Sequence, residues 1–94
     1  MKVKTIHYAI PLTTSPRQIL PEDLSKVAEV LQNQDNLAFV YVRWGGDGIP
    51  QSYMRLDPGW NLVQDVMPST EEMWAYSNVD GTTLTVVSRL QVEG

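Results

Sequence analysis

The side chain best suited to proton transfer in this sequence is His7, the only histidine in the chain. A catalytic histidine needs an orienting partner and a nucleophile or substrate within hydrogen-bonding distance. The residues around His7 supply neither, so we expect a structural or surface histidine. No catalytic residue is predicted, and an enzyme is the less favoured class of function.

A glycine-rich segment, Trp-Gly-Gly-Asp-Gly at residues 44–48, invites comparison with phosphate-binding loops. Such loops add a Lys–Ser/Thr pair or a further glycine at fixed spacing, and they lead into a helix. Here Gln51 stands where the last glycine of GxGxxG would be. The segment is therefore predicted to be a hairpin turn, where glycines supply positive φ angles.

Metal ions and cofactors are not predicted. The chain has no cysteine, which excludes disulfides, thiolate metal sites and iron–sulfur clusters. Asp47 alone cannot form a calcium loop, because such a loop needs several oxygen ligands at alternate positions. Glu71 and Glu72 are adjacent, so on a helix their side chains would diverge by about 100°.

Aromatic and arginine side chains alternate around residues 38–42, which overlap part of the strand pattern of RNA-recognition domains. The Lys/Arg–Gly–aromatic element of that pattern is absent, and the chain is acidic, with a net charge of −4. Phosphate backbones would be repelled, so nucleic-acid binding is disfavoured. Core packing or a dimer interface accounts for the same side chains, which are Phe39, Tyr41, Arg43, Tyr53 and Arg55.

The strongest candidate for binding is the segment from Asp57 to Asp80, which contains no lysine or arginine. Tryptophan and tyrosine are frequent anchors of protein interfaces, and carboxylates steer association. The alternative is that the tryptophans fill the core and the acids only keep the surface soluble. The predicted binding residues are Asp57, Trp60, Asp65, Glu71, Glu72, Trp74 and Tyr76.

These features favour a small, acidic, non-enzymatic domain that binds another protein with a basic surface, as an inhibitor, adaptor or immunity-type factor. Self-association as a homodimer is the alternative to a separate partner. The alternative function is a dimeric α+β barrel that binds a small ligand or substrate in a pocket near His7.

Length and composition predict a single globular domain over residues 1–94. The longest uninterrupted apolar run, from Leu37 to Val42, is much shorter than the ~20 residues that span a membrane. No apolar segment follows the first lysines as a signal peptide would require. A cytoplasmic protein without a membrane role is expected, and the absence of cysteine agrees with a reducing compartment.

β-branched and aromatic residues with period-2 alternation predict four strands, over Lys2–Ile10, Leu37–Trp44, Gln51–Asp57 and Thr82–Val92. A helix is predicted from Pro21, because proline suits the first helical position. Its apolar stripe, which should pack on the sheet, recurs at the 3.6-residue period and consists of Leu20, Leu24, Val27, Ala28 and Leu31.

Residues 57–81 are open to two interpretations. Asp57 before Pro58, and Ser69 with Glu72, are spaced as helix caps. Met73 to Val79 also reads as a strand that forms a hairpin with the final strand. Either way the predicted class is α+β. A second helix gives a ferredoxin-like β-α-β-β-α-β order, and a strand gives one helix packed on a five-stranded antiparallel meander.

We expect the domain to fold cooperatively without metal or oxidant, because no cysteine or ligand cluster requires either. Thermal melts with and without EDTA, and with and without reductant, should give the same Tm. A drop of several degrees in EDTA would reveal a metal site.

Overall fold

The chain is all-β. A computed structural model describes residues 2–45, 53–64 and 68–92, and these residues form eight strands and no helix, so none that could cross a membrane. The strands are β1 (Lys2–Pro11), β2 (Arg17–Leu20), β3 (Lys26–Asn33), β4 (Val40–Trp44), β5 (Met54–Leu56), β6 (Asn61–Gln64), β7 (Met73–Ser77) and β8 (Thr83–Val92).

The strands form two four-stranded sheets, sheet A in the order β1-β8-β3-β6 and sheet B in the order β2-β7-β4-β5. Every pairing is antiparallel. The first strand pairs with the last, the second with the seventh, the third with the sixth and the fourth with the fifth. This is one long hairpin rolled into two packed sheets, the topology of a jelly roll.

The core lies between the two inner faces, where alternate residues of each strand point. β4 shows the pattern clearly: Val40 and Val42 are completely buried, while Tyr41 and Arg43, which alternate with them, are only partly covered. Small and large aliphatic side chains from both sheets fill the interior: Leu12, Leu20, Leu31, Val40, Val42, Leu56, Met73, Ala75, Leu84 and Val86.

The predicted α+β class is wrong, in both the ferredoxin-like and the helix-on-meander form. The segment predicted as a helix contains a loop and the start of β3, and Leu24 is 78% exposed. The register of β3 against β8 shifts between Lys26 and Ala28, as in a β-bulge. The bulge places Lys26 and Glu29, three residues apart, on the buried side. The apolar residues that predicted the helix do not share one buried face, because Leu24 is exposed, Val27 and Ala28 are half-buried and Leu31 is buried.

Residues 57–81 also differ from expectation. Trp60 N donates to Asp57 O (3.0 Å) in a turn, and β6 follows where a helix was one interpretation. The strand alternative from Met73 is observed as β7, but β7 pairs with β2 and β4 and not with the final strand. A jelly roll separates β7 and β8 into different sheets, so a hairpin between them cannot form. The predicted glycine turn beyond Gly45 lies outside the described residues.

The other strand predictions agree with the structure in their position. β1 and β8 pair continuously from Lys2 opposite Val92 to Pro11 opposite Thr83. β4 is an interior strand of sheet B, between β7 and β5, as its apolar character on both faces indicated. One face of β4 lies in the core, and the other forms part of the outer side of sheet B.

Four connections gather at one end of the sandwich, which we call the loop end: residues 12–16, 33–39, 57–60 and 78–82. The buried Asn33 side chain joins two of them, because its Nδ2 donates to Ala38 O (2.8 Å) and to Asp57 O (3.3 Å). Asn78 joins a third, because its Oδ1 accepts from Phe39 N (2.8 Å). The loop end is therefore a hydrogen-bonded unit.

Replacing Leu31 by Ala should lower the free energy of unfolding by about 2–5 kcal/mol, because its completely buried side chain lies between the sheets. Leu24→Ala is the matched control, since that leucine is 78% exposed and should change stability by less than about 0.5 kcal/mol. Urea unfolding of both variants measures the difference. Similar losses in the two variants would contradict the strand assignment.

Candidate functional site

The outer face of sheet B carries a continuous set of large side chains. On β7, Met73 and Ala75 are buried, so Trp74 and Tyr76 project to the outer side. The register places Tyr41 opposite Tyr76 and Arg43 opposite Trp74 on the neighbouring strand. We call this surface the aromatic–arginine face. Its residues are Phe39, Tyr41, Arg43, Tyr53, Arg55, Trp74 and Tyr76.

The tyrosines of this face pack against one another. The rings of Tyr41 and Tyr76 are stacked, with centroids 4.6 Å apart and planes inclined by 12°. This separation is close to the ~4.8 Å spacing of adjacent strands, so the two rings stand upright with their faces together. Tyr53 adds an edge-on contact to Tyr76 at 5.1 Å.

Both arginines lie over aromatic rings. The Arg43 guanidinium carbon is 5.0 Å from the Tyr53 ring centre and 5.4 Å from that of Trp74, so the cation contacts two rings. Arg55 lies 5.1 Å from the ring centre of Phe39 and forms an ion pair with Asp57 at 2.7 Å. The face is thus rich in donors, and Arg55 is partly neutralised.

Hydrogen-bond donors dominate this surface at neutral pH. Burial raises the pKa of the Tyr76 hydroxyl above its usual 10.0, and the neighbouring hydroxyls of Tyr41 and Tyr53 raise it further. Tyr76 therefore stays protonated and can donate. The indole Nε1 of Trp74 is buried and has no hydrogen-bond partner among the described residues.

The residues predicted from the sequence lie in several places. Trp74 and Tyr76 belong to the aromatic–arginine face. Asp57 and Trp60 lie at the loop end, and Trp60 is 57% exposed. Glu71 and Glu72 precede β7 at the opposite end, where Gly45 N donates to Glu72 O (2.9 Å). Asp65 lies outside the described residues.

In the sequence, Phe39, Tyr41 and Arg43 are recognisable as residues of one strand face. Their association with Trp74 and Tyr76 was not predicted. The missing information was the pairing of β4 with β7, which are distant in the chain. The signal in the sequence is that aliphatic residues alternate with aromatic residues or arginine in both strands, as Val-Tyr-Val-Arg at residues 40–43 and Met-Trp-Ala-Tyr at residues 73–76.

A polar cluster lies inside the opposite end of the sandwich. The Glu29 carboxylate is buried and contacts Lys26 Nζ at 2.9 Å, and it accepts from Trp44 Nε1 (3.2 Å) and Ser88 Oγ (3.4 Å). The Lys26 ammonium and the Glu29 carboxylate neutralise each other, and a buried charge is tolerated when it is paired in this way. Among the described residues, the Ser88 hydroxyl is the only candidate nucleophile that forms a hydrogen bond with the Glu29 carboxylate.

A solvent-open cleft lies over this cluster, and Tyr8, Asp23, Lys26 and Ser88 contribute to its lining. His7 is exposed, and it neighbours Tyr8 on β1, where successive side chains point to opposite sides. The described cleft is therefore on the other side of β1 from His7. Among the described residues, no three His, Asp or Glu side chains are grouped to hold a metal ion.

Comparison with known proteins adds a fold relative. No family model and no curated protein matches the sequence. The fold is similar to a chain from the disulfide-linked pili of Bacillus endospore appendages, with a TM-score of 0.62 and 7% identity. The match covers 98% of this chain and 88% of that chain. At this identity the likeness establishes a shared fold alone.

Tyr76→Phe should reduce the loss of stability at alkaline pH. The pKa of Tyr76 is raised in the folded state, so its stabilising contribution is present below the unfolded value of about 10 and is lost as pH rises through the folded pKa. Phenylalanine has no proton to lose. Urea unfolding of both proteins between about pH 8 and about pH 11 measures this, and parallel pH profiles would contradict it.

Proposed function

We propose that this chain is a non-enzymatic protein-binding domain that uses the aromatic–arginine face as its contact surface. The observation that carries the proposal is Arg43, held between Tyr53 and Trp74 beside the Tyr41–Tyr76 stack on the solvent side of a sheet. Tryptophan, tyrosine and arginine are the residues that dominate the binding energy of protein interfaces. Because these side chains are already packed, binding would order few of them further.

The orientation of the rings favours a protein over a nucleic acid or a sugar. A base that stacks needs a ring face, but Tyr41 and Tyr76 turn their faces toward each other, and Arg43 covers Tyr53 and Trp74. Upright rings instead offer edges, hydroxyls and apolar area. A protein surface uses all three.

The chemistry of the face indicates what its partner offers. The guanidinium groups and the protonated Tyr76 hydroxyl are donors, so carbonyl and carboxylate acceptors complement them. The prediction of a basic partner depended on the carboxylates between residues 57 and 80. Of these, only the Asp57 carboxylate contacts this face, through its ion pair with Arg55. A basic partner is therefore better suited to a different part of the molecule.

The interior supports binding rather than catalysis. Aliphatic side chains fill the space between the sheets, and the buried Lys26–Glu29 pair satisfies itself. An enzyme with a pocket near His7 would need an enclosed space on that side of β1. The described cleft is open and lies on the Tyr8 side.

Self-association into a structural assembly is the second candidate function. The similarity to the pilus chain extends over nearly the whole sandwich. β1 is also an edge strand whose ten residues pair with β8 without a register shift. An unpaired regular edge is a template for another strand, and repeated head-to-tail contacts produce filaments. Sedimentation at rising protein concentration tests this candidate directly.

Affinity capture with quantitative mass spectrometry tests the first candidate. Immobilised wild-type protein should retain a host protein that binds at least about 30-fold more weakly to Trp74→Ala, as expected for a hot-spot residue. Arg43→Lys should also weaken binding, because lysine keeps the charge but loses the planar contact with the two rings. Titration of the purified partner then gives each Kd.

Two exposed residues on the outer face of sheet A provide matched controls. Arg89→Ala removes an arginine, and His7→Gln removes the histidine, without altering the aromatic–arginine face. Both should bind the partner like the wild type. Equal affinity of Trp74→Ala, Arg43→Lys and the controls, with all variants folded in thermal melts, would contradict the proposed face.

A further inference from the structure

Three large apolar side chains are exposed together at the loop end. Leu37 is 82% exposed, Trp60 57% and Val79 50%. Their loops adjoin: Asn33 N donates to Trp60 O (3.0 Å), and Asn78 N donates to Phe39 O (3.2 Å). Single exposed apolar residues are ordinary on protein surfaces, but a group on adjoining loops marks an interaction site.

The loops that present these side chains are held rigidly. Asp35 Oδ1 accepts from Leu37 N (2.7 Å) and Ala38 N (2.8 Å), which fixes the tip that carries Leu37. Asp80 Oδ1 accepts from Thr14 N (2.9 Å), which fixes the turn that carries Val79. Since these tips are already ordered, a partner would meet a prepared surface.

The connections of the loop end carry three carboxylates, those of Asp35, Asp57 and Asp80, and the adjoining strands carry Arg17 and Arg55, which leaves one net negative charge there. The pKa of Asp35 is lowered by the backbone N–H groups of Leu37 and Ala38, so this carboxylate stays ionised. Among the described residues, neither Asp35 nor Asp80 forms an ion pair with a lysine or arginine. Asp57 is the third carboxylate here, and Arg55 balances it.

We propose that the loop end is a second interaction surface, which docks a protein segment whose apolar side chains are flanked by lysine or arginine. Leu37, Trp60 and Val79 supply the apolar contact, and Asp35 and Asp80 supply the charge complement. The negative charge disfavours an anionic membrane surface as the occupant. The surface is separate from the aromatic–arginine face, so the two proposals stand or fall independently.

Selection from a phage-displayed library of random peptides tests the proposal on the intact domain. Peptides enriched on the wild type should combine aliphatic or aromatic residues with lysine or arginine. A synthetic peptide of the enriched sequence should bind the double variant Leu37→Ser, Trp60→Ser at least about tenfold more weakly, because two exposed anchors are lost. Leu24→Ser is the matched control, since Leu24 is 78% exposed in a connection at the opposite end, and it should bind normally.

The charge contribution is tested with Asp35→Asn combined with Asp80→Asn. Asparagine keeps the side-chain oxygen that accepts the backbone N–H groups, so the loops retain their shape. Association of the basic peptide should become slower and less sensitive to salt than with the wild type. Glu22→Gln removes an exposed carboxylate from the connection between β2 and β3 at the opposite end, and it should leave both unchanged.

Five results would overturn the proposal. Four of them are enriched peptides without basic residues, peptides that bind the Leu37→Ser, Trp60→Ser variant as well as the wild type, loss of binding only through unfolding in thermal melts, and saturable binding to phosphatidylcholine vesicles in place of peptides. Self-association abolished by the same double variant would instead make a second copy the occupant, and would also overturn it.

Discussion

The buried carboxylate of Glu29 constrains much of this sandwich. A charge inside so small a domain is tolerated only if its partners are placed accurately, since removal of one partner of such a pair typically costs about 3–5 kcal/mol. The partners are Lys26 within β3, Ser88 on β8 and Trp44 on β4. They fix the bulge in β3, its register against β8 and the distance between the two sheets at that end.

The constraint reaches the binding surface through β4. Trp44 is bound to Glu29 from the sheet that carries the aromatic–arginine face, and Arg43 is its neighbour in the strand. Val40 and Val42 are buried, and Trp44 is held by its hydrogen bond. Because successive side chains of a strand point to opposite sides, Tyr41 and Arg43 must then lie on the outer side of the sheet. The strand register then places Trp74 of β7 opposite Arg43 of β4, and Arg55 of β5 opposite Tyr41 of β4.

Several strands could be predicted from the sequence, but the fold could not. β1, β4 and β8 have residue patterns that follow the pleat, so their positions were recognisable. β3 buries Lys26, Glu29 and Asn33 beside Leu31, and these polar residues conceal its alternation. Val27 and Leu31 are four residues apart, an interval that fits one face of a helix as well as one face of a strand. Pairings such as β4 with β7 depend on the whole topology, so the aromatic residues of the candidate face could not be assembled from local patterns.

The pairing of β1 with β8 has a consequence for how the chain folds. Sheet A has these two strands as neighbours along ten residues each, although almost the whole domain separates them in sequence. To form such distant contacts, the chain must close a large loop and lose conformational entropy before any interaction offsets that loss. All-β domains of this kind therefore fold in milliseconds to seconds. During synthesis β3 and β1 must wait for β8, which lies between them in the sheet. Until then their hydrogen-bonding edges are open to other nascent chains, which makes this domain one that benefits from protection while it is being made.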